Sequence, residues 1–440
     1  MSPTMVLICV VVGLVATIFI SNKFGHNIGL WSLTFAYFIG CWGMGLKPSD
    51  LVKYWPTTFS FVIVSLSIFY GYAGQSGAMF VLAKKIIYAN RKRAWILPFL
   101  IFVLGFGLAL TGCSSYTVTG LLAPIGYDIC LAAGINPILI VPAVMIPAGV
   151  GSFAPWAGGA AQALNYFSTT QWADLKTDFQ WCIWGNGIIA GLIAFIIIFI
   201  ICRGWKTGKD VVLEKPEDFT DEQKKVLWVI GIAAIIVILP SLIKFTGYKP
   251  KWFNYLDIQF VAIIGSIVMK LLKVGGKDAE KEVITKRVPW GMLFMVVGVT
   301  TLMNVGKTGG AVTLLADLIT KGLPNWLIPA GLCTLAGFMS FFAGGMTVVI
   351  PTLLALVEPL YGASGLSPII TASAIYLGAN LTAVSPVSTG GSIILGLCPD
   401  EGWRQKQFKT QFALAFYFII VDCIFAMLGG FGIFNLAMFK

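Results

Sequence analysis

The sequence predicts an all-α polytopic membrane protein built from two inverted-topology repeats, each with five spans, one re-entrant hairpin and one broken helix. Three observations lead to this prediction. Hydrophobic residues make up 58% of the 440 residues and charged residues only 11%, whereas a soluble domain has about 25% charged residues. Many apolar runs approach the roughly 20 residues that a spanning helix needs. Residues that punctuate the backbone also recur in the second half of the chain at a nearly constant interval.

The internal repeat is carried by tryptophan, glycine and proline residues. Pro155 recurs as Pro386, and we call the spacing between these two residues the repeat interval. The same interval separates Trp95 from Trp326, Pro98 from Pro329, Gly134 from Gly365, and Pro137 from Pro368. With one extra residue, Gly74-Gln75-Ser76-Gly77 recurs as Gly306-Lys307-Thr308-Gly309. Such duplication is typical of secondary transporters, which bind substrate where the two repeats meet.

Ten apolar segments are predicted to span the membrane. In chain order they are 5–21, 29–46, 57–73, 138–168, 181–202, 226–244, 255–272, 289–305, 367–396 and 410–435. The first repeat covers 1–202 and the second covers 226–440. The polar segment 203–225 carries both signs of charge and is predicted to be a solvated cytoplasmic linker.

Two further apolar blocks, 94–131 and 324–363, are predicted to be hairpins. Each starts with a Trp-x-x-Pro sequence and is broken midway by small polar residues. Each block is either two crossing helices or a re-entrant hairpin. Irregular backbone at mid-membrane depth must line a cavity or be buried in protein, which favours the re-entrant form.

The distribution of basic residues supports opposite orientations of the repeats. Five crossings are an odd number, so the second half enters the membrane upside down. If the basic loop 84–93 is cytoplasmic, the cytoplasmic loops hold 21 of the 30 Lys and Arg residues, as the positive-inside rule expects. Each half has an odd number of crossings whether its hairpin is re-entrant or forms two crossing helices, so the positive-inside rule does not decide between the two forms. The prediction is a multi-pass protein of the cell membrane with both termini outside.

The segments 138–168 and 367–396 are predicted to be broken helices. Glycines flank Pro155 in the first and Pro386 in the second, and both residue types weaken a helix. A half-helix N-terminus offers N–H groups to an anion, and the other broken end offers carbonyls to a cation. Two broken helices and two hairpin tips are therefore predicted to enclose one site without Arg or Lys, suited to a carboxylate accompanied by a cation.

The candidate site residues are the polar and small residues of these four breaks. Those predicted to bind substrate are Ser114, Ser115, Thr117, Pro155, Gly158, Thr347, Ser385, Pro386, Ser388 and Thr389. Those predicted to bind a cation are Gly151, Ser152, Gly344, Gly345, Asn380 and Ala383. Na⁺ is the candidate coupling ion, and no other metal or cofactor is predicted.

Acidic residues are few in the apolar segments. Asp128 and Glu358 lie in the second arms of the two hairpins, as functional groups or as solvated helix ends. Asp422 lies in the last span, where an acid is either a proton or cation site or has a structural partner in the helix bundle, and the structural partner is favoured. The expected partners of the protein are a small organic anion and the lipid bilayer. Nucleic acid is not expected, because the basic residues cluster in loops.

Several short motifs resemble those of the ion transporter superfamily. They are Asn27-Ile28-Gly29-Leu30-Trp31, Gly43-Met44-Gly45-Leu46, Gly74-x-x-Gly77 and Leu122-Ala123-Pro124-Ile125, with the breaks at Pro155 and Pro386. Within that superfamily the chain is most similar to malonate-carrier-like dicarboxylate carriers, which are relatives of divalent-anion/sodium symporters. The resemblance implies an elevator-type homodimer that carries di- or tricarboxylates with Na⁺ or H⁺. The Ser-Asn-Thr signature of the symporters is absent from both tips, which contain Ser114-Ser115-Tyr116-Thr117 and Gly345-Met346-Thr347.

Three alternative functions can be compared with the same residues. Gly362-Ala363-Ser364-Gly365 matches a rhomboid-protease motif, but that chemistry needs a nearby base and the single histidine, His26, lies in the other half. A channel would also use broken helices, although paired hairpin tips suit alternating access better. A cation/proton antiporter or inorganic-anion exporter of the same superfamily would need a mid-membrane carboxylate, which neither broken helix contains.

Overall fold

The computed structural model describes residues 1–89, 94–206, 215–243, 252, 255–256, 258–288, 290–342, 344–386, 388–398 and 401–439. These residues form helices joined by turns, and no strand occurs among them. Five helical stretches are long and apolar enough to cross a membrane, and six shorter apolar helices have 10–17 residues. The all-α, multi-pass prediction is therefore confirmed for the described part of the chain.

The described part of the first half contains ten α-helices. They are α1 (Pro3–Phe24), α2 (Ile28–Tyr37), α3 (Pro48–Lys53), α4 (Thr57–Ser76), α5 (Ala78–Ala89), α6 (Leu97–Leu110), α7 (Ser115–Ala133), α8 (Ile140–Ser152), α9 (Ala161–Phe167) and α10 (Lys176–Ile201). A π-helix, Phe38–Gly43, continues α2.

The second half contains eleven described α-helices. They are α11 (Asp221–Ile243), α12 (Ile258–Leu271), α13 (Ala279–Glu282), α14 (Trp290–Thr308), α15 (Ala311–Gly322), α16 (Ile328–Phe342), α17 (Ile350–Leu354), α18 (Val357–Ser364), α19 (Pro368–Leu381), α20 (Thr389–Gly396) and α21 (Glu401–Met427). One π-helix, Val283–Arg287, follows α13, and another, Gly345–Val349, precedes α17.

Helix caps explain why the repeated residues recur. Gly134 and Gly365 end α7 and α18 in the left-handed conformation, with φ of 68° and 70°, which glycine adopts without a steric penalty. Two residues later, the side chains of Asn136 and Ser367 accept a hydrogen bond from the first turn of the following helix. A proline then occupies the first helical position, where a backbone N–H would have no partner within the helix, so its absence costs nothing. The repeat therefore encodes the same chain reversal twice.

The two halves exchange helices with each other. In the first half α6 packs against α8, and in the second half the corresponding α16 packs against α19. The second helix of each half crosses over, since α2 packs against α14 and α12 packs against α4. One cluster consists of α1, α2 and α14, and a second consists of α4, α11 and α12 with the Val283–Arg287 π-helix. A small contact between α4 and α14 joins the two clusters, which we together call the scaffold. The hairpins and broken helices, with α10 and α21 packed against them, are called the binding unit.

Two helices lie where the sequence predicts loops or chain between spans. These are α5 and α15, each of which lies between the helix of a predicted span (α4 or α14) and the hairpin that follows it. Each buries one stripe, including Ala78 and Ala83 in α5 and Val312 and Ala316 in α15, and exposes the opposite side. The apolar spans were found by continuous hydrophobicity, whereas an amphipathic helix shows itself only by its 3.6-residue period.

The described part of the linker docks onto the first half. Asp218 forms an ion pair with Lys85 of α5 at 2.7 Å, and the hydrogen bond from Lys85 lowers the pKa of the Asp218 carboxyl. The Gln223 amide donates to the Ser76 carbonyl at 3.1 Å. Thr220 and Gln223 also cap α11 reciprocally, which is the capping-box arrangement. These contacts fix the start of α11 beside α4 and α5.

Candidate functional site

Both predicted breaks are present in the structure. The first helix, α8, ends at Ser152, and the chain runs through a turn and a short 3-10 helix before α9 begins at Ala161. The second, α19, ends at Leu381 and is followed by a 3-10 turn, Thr382–Val384, before α20 begins at Thr389. Pro155 and Pro386 lie within these interruptions. The helices stop where proline and glycine leave backbone groups without helical partners.

Each hairpin is hydrogen-bonded to its own broken helix, the first through its second arm and the second through its first arm. The Ser115 hydroxyl donates to the Ala148 carbonyl at 3.0 Å, and the Ser340 hydroxyl donates to the Ala379 carbonyl at 2.7 Å. The repeat interval separates Ala148 from Ala379, and each lies near the end of the first half-helix. The two hairpins thus bind equivalent carbonyls of α8 and α19.

A second pair of equivalent carbonyls closes the first arm of each hairpin. Trp156 donates from its indole nitrogen to the Leu110 carbonyl at 2.8 Å. Ser385 donates from its hydroxyl to the Phe341 carbonyl at 3.1 Å, and Phe341 follows Leu110 by the repeat interval. Each break therefore supplies a donor to the end of the neighbouring hairpin arm, where helical carbonyls lack partners.

The two breaks meet at a pair of equivalent residues. A methyl group at Gly149 would overlap the Asn380 side chain, and the repeat interval also separates these two residues. A residue that touches its own equivalent lies close to a pseudo-two-fold axis, as in an isologous interface. Two further contacts are equivalent to each other by the repeat interval. Met145 lies against Gly390, and Tyr376, the equivalent of Met145, places its hydroxyl at the carbonyl of Gly159, the equivalent of Gly390.

A cavity of about 280 Å³ lies beside this pair, and we call it the central cavity. Both hairpin tips and both breaks line it, together with one stripe of α4 formed by Ile63, Leu66, Ser67, Tyr70, Gly71 and Gly74. The central cavity therefore lies between the scaffold and the binding unit. Most of its wall is apolar, and hydroxyl side chains, two amide side chains and Arg287 are interspersed in it.

The structure brings most of the predicted site residues to this cavity. The lining includes Ser114, Ser115, Thr117, Gly158 and Ser388 from the predicted substrate set, and Ser152, Gly344, Gly345, Asn380 and Ala383 from the predicted cation set. The other predicted residues, which do not line it, are Gly151, Pro155, Thr347, Ser385, Pro386 and Thr389. Of these, Ser385 and Thr347 are fully or almost fully buried, with hydroxyls that donate to backbone carbonyls.

Two amide side chains that line the central cavity carry buried atoms without a hydrogen-bond partner among the described residues. Gln162 and Asn380 are both more than nine-tenths buried. Gln162 donates from Nε2 to the Met346 carbonyl at the second hairpin tip. Since a carbonyl can only accept, this bond fixes the amide with Oε1 pointing away from Met346. Among the described residues, neither Gln162 Oε1 nor Asn380 Nδ2 has a hydrogen-bond partner, which favours a polar ligand.

The prediction that the site contains no Arg or Lys is wrong. Arg287, at the end of the π-helix before α14, lines the central cavity. It reaches α4 because Gly71 has no side chain, and a methyl group there would meet Val283 and the Cβ of Arg287. Sequence reasoning placed Arg287 in a basic loop, and only the packing of that loop on α4 brings it to the cavity.

A pair of glutamines was also missed. Gln180 in α10 and Gln411 in α21 are separated by the repeat interval and are fully buried. Gln180 donates to the Phe153 carbonyl at 2.6 Å, and Gln411 donates to the Gly391 carbonyl at 3.3 Å. Gln180 therefore holds the interruption after α8, and Gln411 holds the start of α20, just after the second interruption. Their shared spacing is present in the sequence, downstream of the Pro155 and Pro386 pair at which the recognised repeat ended.

The three acids have different environments. Asp128 is exposed, and Glu358 pairs with Lys307 of α14 at 3.0 Å; neither is among the residues that line the central cavity. Asp422 is fully buried. The expected structural partner is not found, because neither Asp422 oxygen has a hydrogen-bond partner among the described residues.

The protease-like motif has a local structural explanation. The Ser364 hydroxyl donates to the Leu360 carbonyl at 2.6 Å at the end of α18. The His26 ring lies in the turn before α2, where its Nδ1 accepts from the Trp31 indole at 3.1 Å. Within the described residues, no group of three or more His, Cys, Asp or Glu residues could hold a metal ion.

Comparisons with known proteins agree with this architecture. Residues 1–152, which end with α8, match the family model described as the N-terminus of the dicarboxylate carrier protein MatC. The structure is similar to the YdaH transporter of Alcanivorax borkumensis, with 15% identity, a TM-score of 0.58, and coverage of 92% of this chain and 97% of that chain. It is also similar to MtrF of Neisseria gonorrhoeae, described within a class of antimetabolite efflux pumps, with 16% identity, a TM-score of 0.59, and coverage of 97% and 95%.

No curated protein matches the chain. The structural similarity shows a transporter fold. Together with the family match it indicates a multi-pass membrane transporter and not an enzyme. The match to a dicarboxylate carrier covers residues 1–152, so the finer placement in the ion transporter superfamily stays a prediction.

Proposed function

We propose that this protein is a secondary active transporter of small organic anions, most simply dicarboxylates, coupled to Na⁺ or H⁺. The observation that carries the proposal is the composition of the central cavity. Both hairpin tips and both breaks line it, and Arg287 is its one charged side chain among the described residues. A positive group beside hydroxyl donors in an otherwise mostly apolar, partly desolvated site favours an anion over a cation.

The substrate carboxylate is proposed to bind at the first hairpin tip. The tip begins α7, and Ser114 caps its N-terminus by accepting from the Tyr116 amide at 3.3 Å. The Ser115 and Thr117 amides are further first-turn donors, and the helix dipole favours a negative charge there. Asn380 Nδ2 is an unpartnered donor on the same cavity, among the described residues. These groups replace the water lost when a carboxylate leaves solvent.

A coupling cation is proposed to bind where carbonyl and hydroxyl oxygens converge. Ser152 ends α8, and a methyl group at Gly159 would lie 2.6 Å from both its carbonyl and hydroxyl oxygens. Gln162 Oε1 is an oxygen on the same cavity that no described residue partners. Hard oxygen ligands of this kind suit Na⁺. The predicted cation residues Gly344, Gly345, Asn380 and Ala383 line the opposite repeat's share of the wall.

Elevator-type alternating access within a homodimer is the proposed mechanism. The division into a scaffold and a binding unit supports it, because the central cavity lies between two groups that could move as bodies. The contact of Gly149 with its equivalent Asn380 supports a two-fold relation of the repeats. With the bias of basic residues toward one set of loops, that axis is proposed to lie in the membrane plane, which gives inverted repeats.

A cation/proton antiporter or inorganic-anion exporter is the second candidate. Asp422 favours it, since a buried carboxyl without a partner among the described residues is a site that can hold a proton. Asp422 does not line the central cavity, however, and packs within the binding unit on α21.

Uptake by proteoliposomes containing the purified protein tests the proposal. Malonate, succinate, fumarate, malate and citrate are offered with imposed Na⁺ or pH gradients. We expect saturable uptake of at least one dicarboxylate that proceeds against its own gradient. Empty liposomes are the control. If none of these anions moves under either gradient, organic-anion transport is wrong, and unsaturable downhill flux would indicate a channel.

A further inference from the structure

We propose that Arg287 is a one-sided affinity residue, which attracts and contacts the substrate carboxylate only when the site faces the cytoplasm. This rests on the proposed transport of a carboxylate. It adds that the two faces of the protein bind the same anion with different strength, because the charge at the central cavity has no counterpart in the other repeat.

The first step is the position of Arg287. It lies on the scaffold, at the end of the Val283–Arg287 π-helix, which packs on α4. The groups proposed to bind the anion lie instead on the binding unit, at α7, α8 and α19. In an elevator movement these two groups separate, so Arg287 can contact the substrate in only one of the two end states.

The second step is the charge of Arg287. In the described part of the chain, no carboxylate lies within salt-bridge distance of its guanidinium. Its neighbour Lys286 is 3.6 Å from Glu282, so that charge is partly compensated. Arg287 thus leaves a free guanidinium beside a cavity whose described lining contains no acid. A fork of donors of this kind matches a carboxylate in two hydrogen bonds.

The third step is the asymmetry between the repeats. Lys53-Tyr54-Trp55-Pro56 before α4 corresponds to Lys286-Arg287-Val288-Pro289 before α14, at close to the repeat interval. Lys53 pairs with Asp50 at 2.9 Å, as Lys286 pairs with Glu282. The equivalent of Arg287 is therefore Tyr54, a neutral residue that hydrogen-bonds Thr308 at the end of α14 at 2.7 Å. The opposite face has no free cation at this place.

The basic loops assign the side. Arg287 ends the segment 270–288, which contains six Lys and Arg residues and is predicted to be cytoplasmic. The attraction between Arg287 and an anion should also depend on salt, since exposed charges are screened over about 8 Å at physiological ionic strength. Substrate affinity from the cytoplasmic face should therefore fall as salt rises.

Sided uptake of radiolabelled malonate and succinate tests the inference. Apparent KM is measured in right-side-out and everted membrane vesicles for the wild type, R287Q, R287K and K286Q. For R287Q we expect about a tenfold higher KM at the cytoplasmic face and less than a twofold change at the other. R287K should retain part of the affinity, and K286Q, the matched control that removes a neighbouring charge outside the cavity, should behave as the wild type.

Salt dependence supplies a second measurement. Cytoplasmic-face KM of the wild type should rise with ionic strength, and that of R287Q should be nearly flat. Equal changes on both faces, no change on either, or the same change in K286Q would overturn the inference. Each of these results presupposes transport by the wild type. If the wild type moves neither anion from either face and also fails the wider anion screen, the proposed function itself is wrong.

Discussion

At the scale of single residues, the site is held by side chains that satisfy backbone groups of the breaks. Ser115 donates to the Ala148 carbonyl, and Ser385 donates to the Phe341 carbonyl. The sequence predicted both serines as substrate ligands from their position at the breaks. The structure shows Ser115 both lining the cavity and bound to α8, whereas Ser385 is fully buried behind it. A hydroxyl at a break can face the cavity or satisfy a backbone carbonyl, and the residue type alone does not distinguish these two roles.

Ser115→Ala should weaken substrate binding by about 1 kcal/mol, the usual net value of one hydrogen bond. The variant frees the Ala148 carbonyl and loosens the first hairpin tip. Ser392→Ala is the matched control, because the exposed Ser392 hydroxyl bonds only within α20. Substrate affinity is measured by uptake KM in proteoliposomes. Equal affinity of Ser115→Ala and wild type, at equal expression, would remove the first hairpin tip from the proposed site.

Asp422→Asn should retain transport and raise or preserve thermal stability. An ionised carboxylate without a partner is costly when buried, and the amide of asparagine has the same shape and carries no charge. Malonate uptake and the Tm of the detergent-solubilised protein are the measurements. Loss of transport in a well-folded Asp422→Asn protein would instead support the antiporter alternative.

At the scale of elements, the sequence predicted the breaks and hairpins because glycine and proline act locally on the backbone. Gly134 and Gly365 show this directly, since each ends a helix at positive φ. The sequence did not predict α5 and α15, because each is apolar on one side only and therefore lacks the continuous hydrophobicity of a spanning segment. It also missed Arg287 and Gln162, which reach the central cavity only through contacts between elements distant in the chain. Local rules fix where helices stop, and packing decides what faces the cavity.

Gly149→Ala should disrupt the crossing of α8 and α19. The added methyl group would overlap the Asn380 side chain, and overpacking of this kind costs about 1–3 kcal/mol. Gly107→Ala in α6 is the control, because its methyl group would meet no neighbour within 4 Å. Thermal unfolding and malonate uptake are compared in the two variants. If both behave alike, the breaks do not meet as tightly as described.

At the scale of the whole molecule, the two repeats form one site between them. The paired contacts of Ala148 and Ala379, and of Leu110 and Phe341, show that equivalent carbonyls of the two repeats are hydrogen-bonded, the first pair from different hairpin arms. Asymmetry enters where the cavity meets the scaffold, at α4 and Arg287.

The opposite orientation of the repeats is the central claim, and sided cysteine labelling tests it most directly. The native protein has nine cysteines, so they are first replaced and transport is checked. Lys84→Cys in α5 and Lys321→Cys in α15 then place exposed thiols on corresponding helices. A membrane-impermeant thiol reagent applied to intact cells should label Lys321→Cys and leave Lys84→Cys unlabelled until the membrane is opened. Labelling of both positions from the same face would contradict the inverted arrangement.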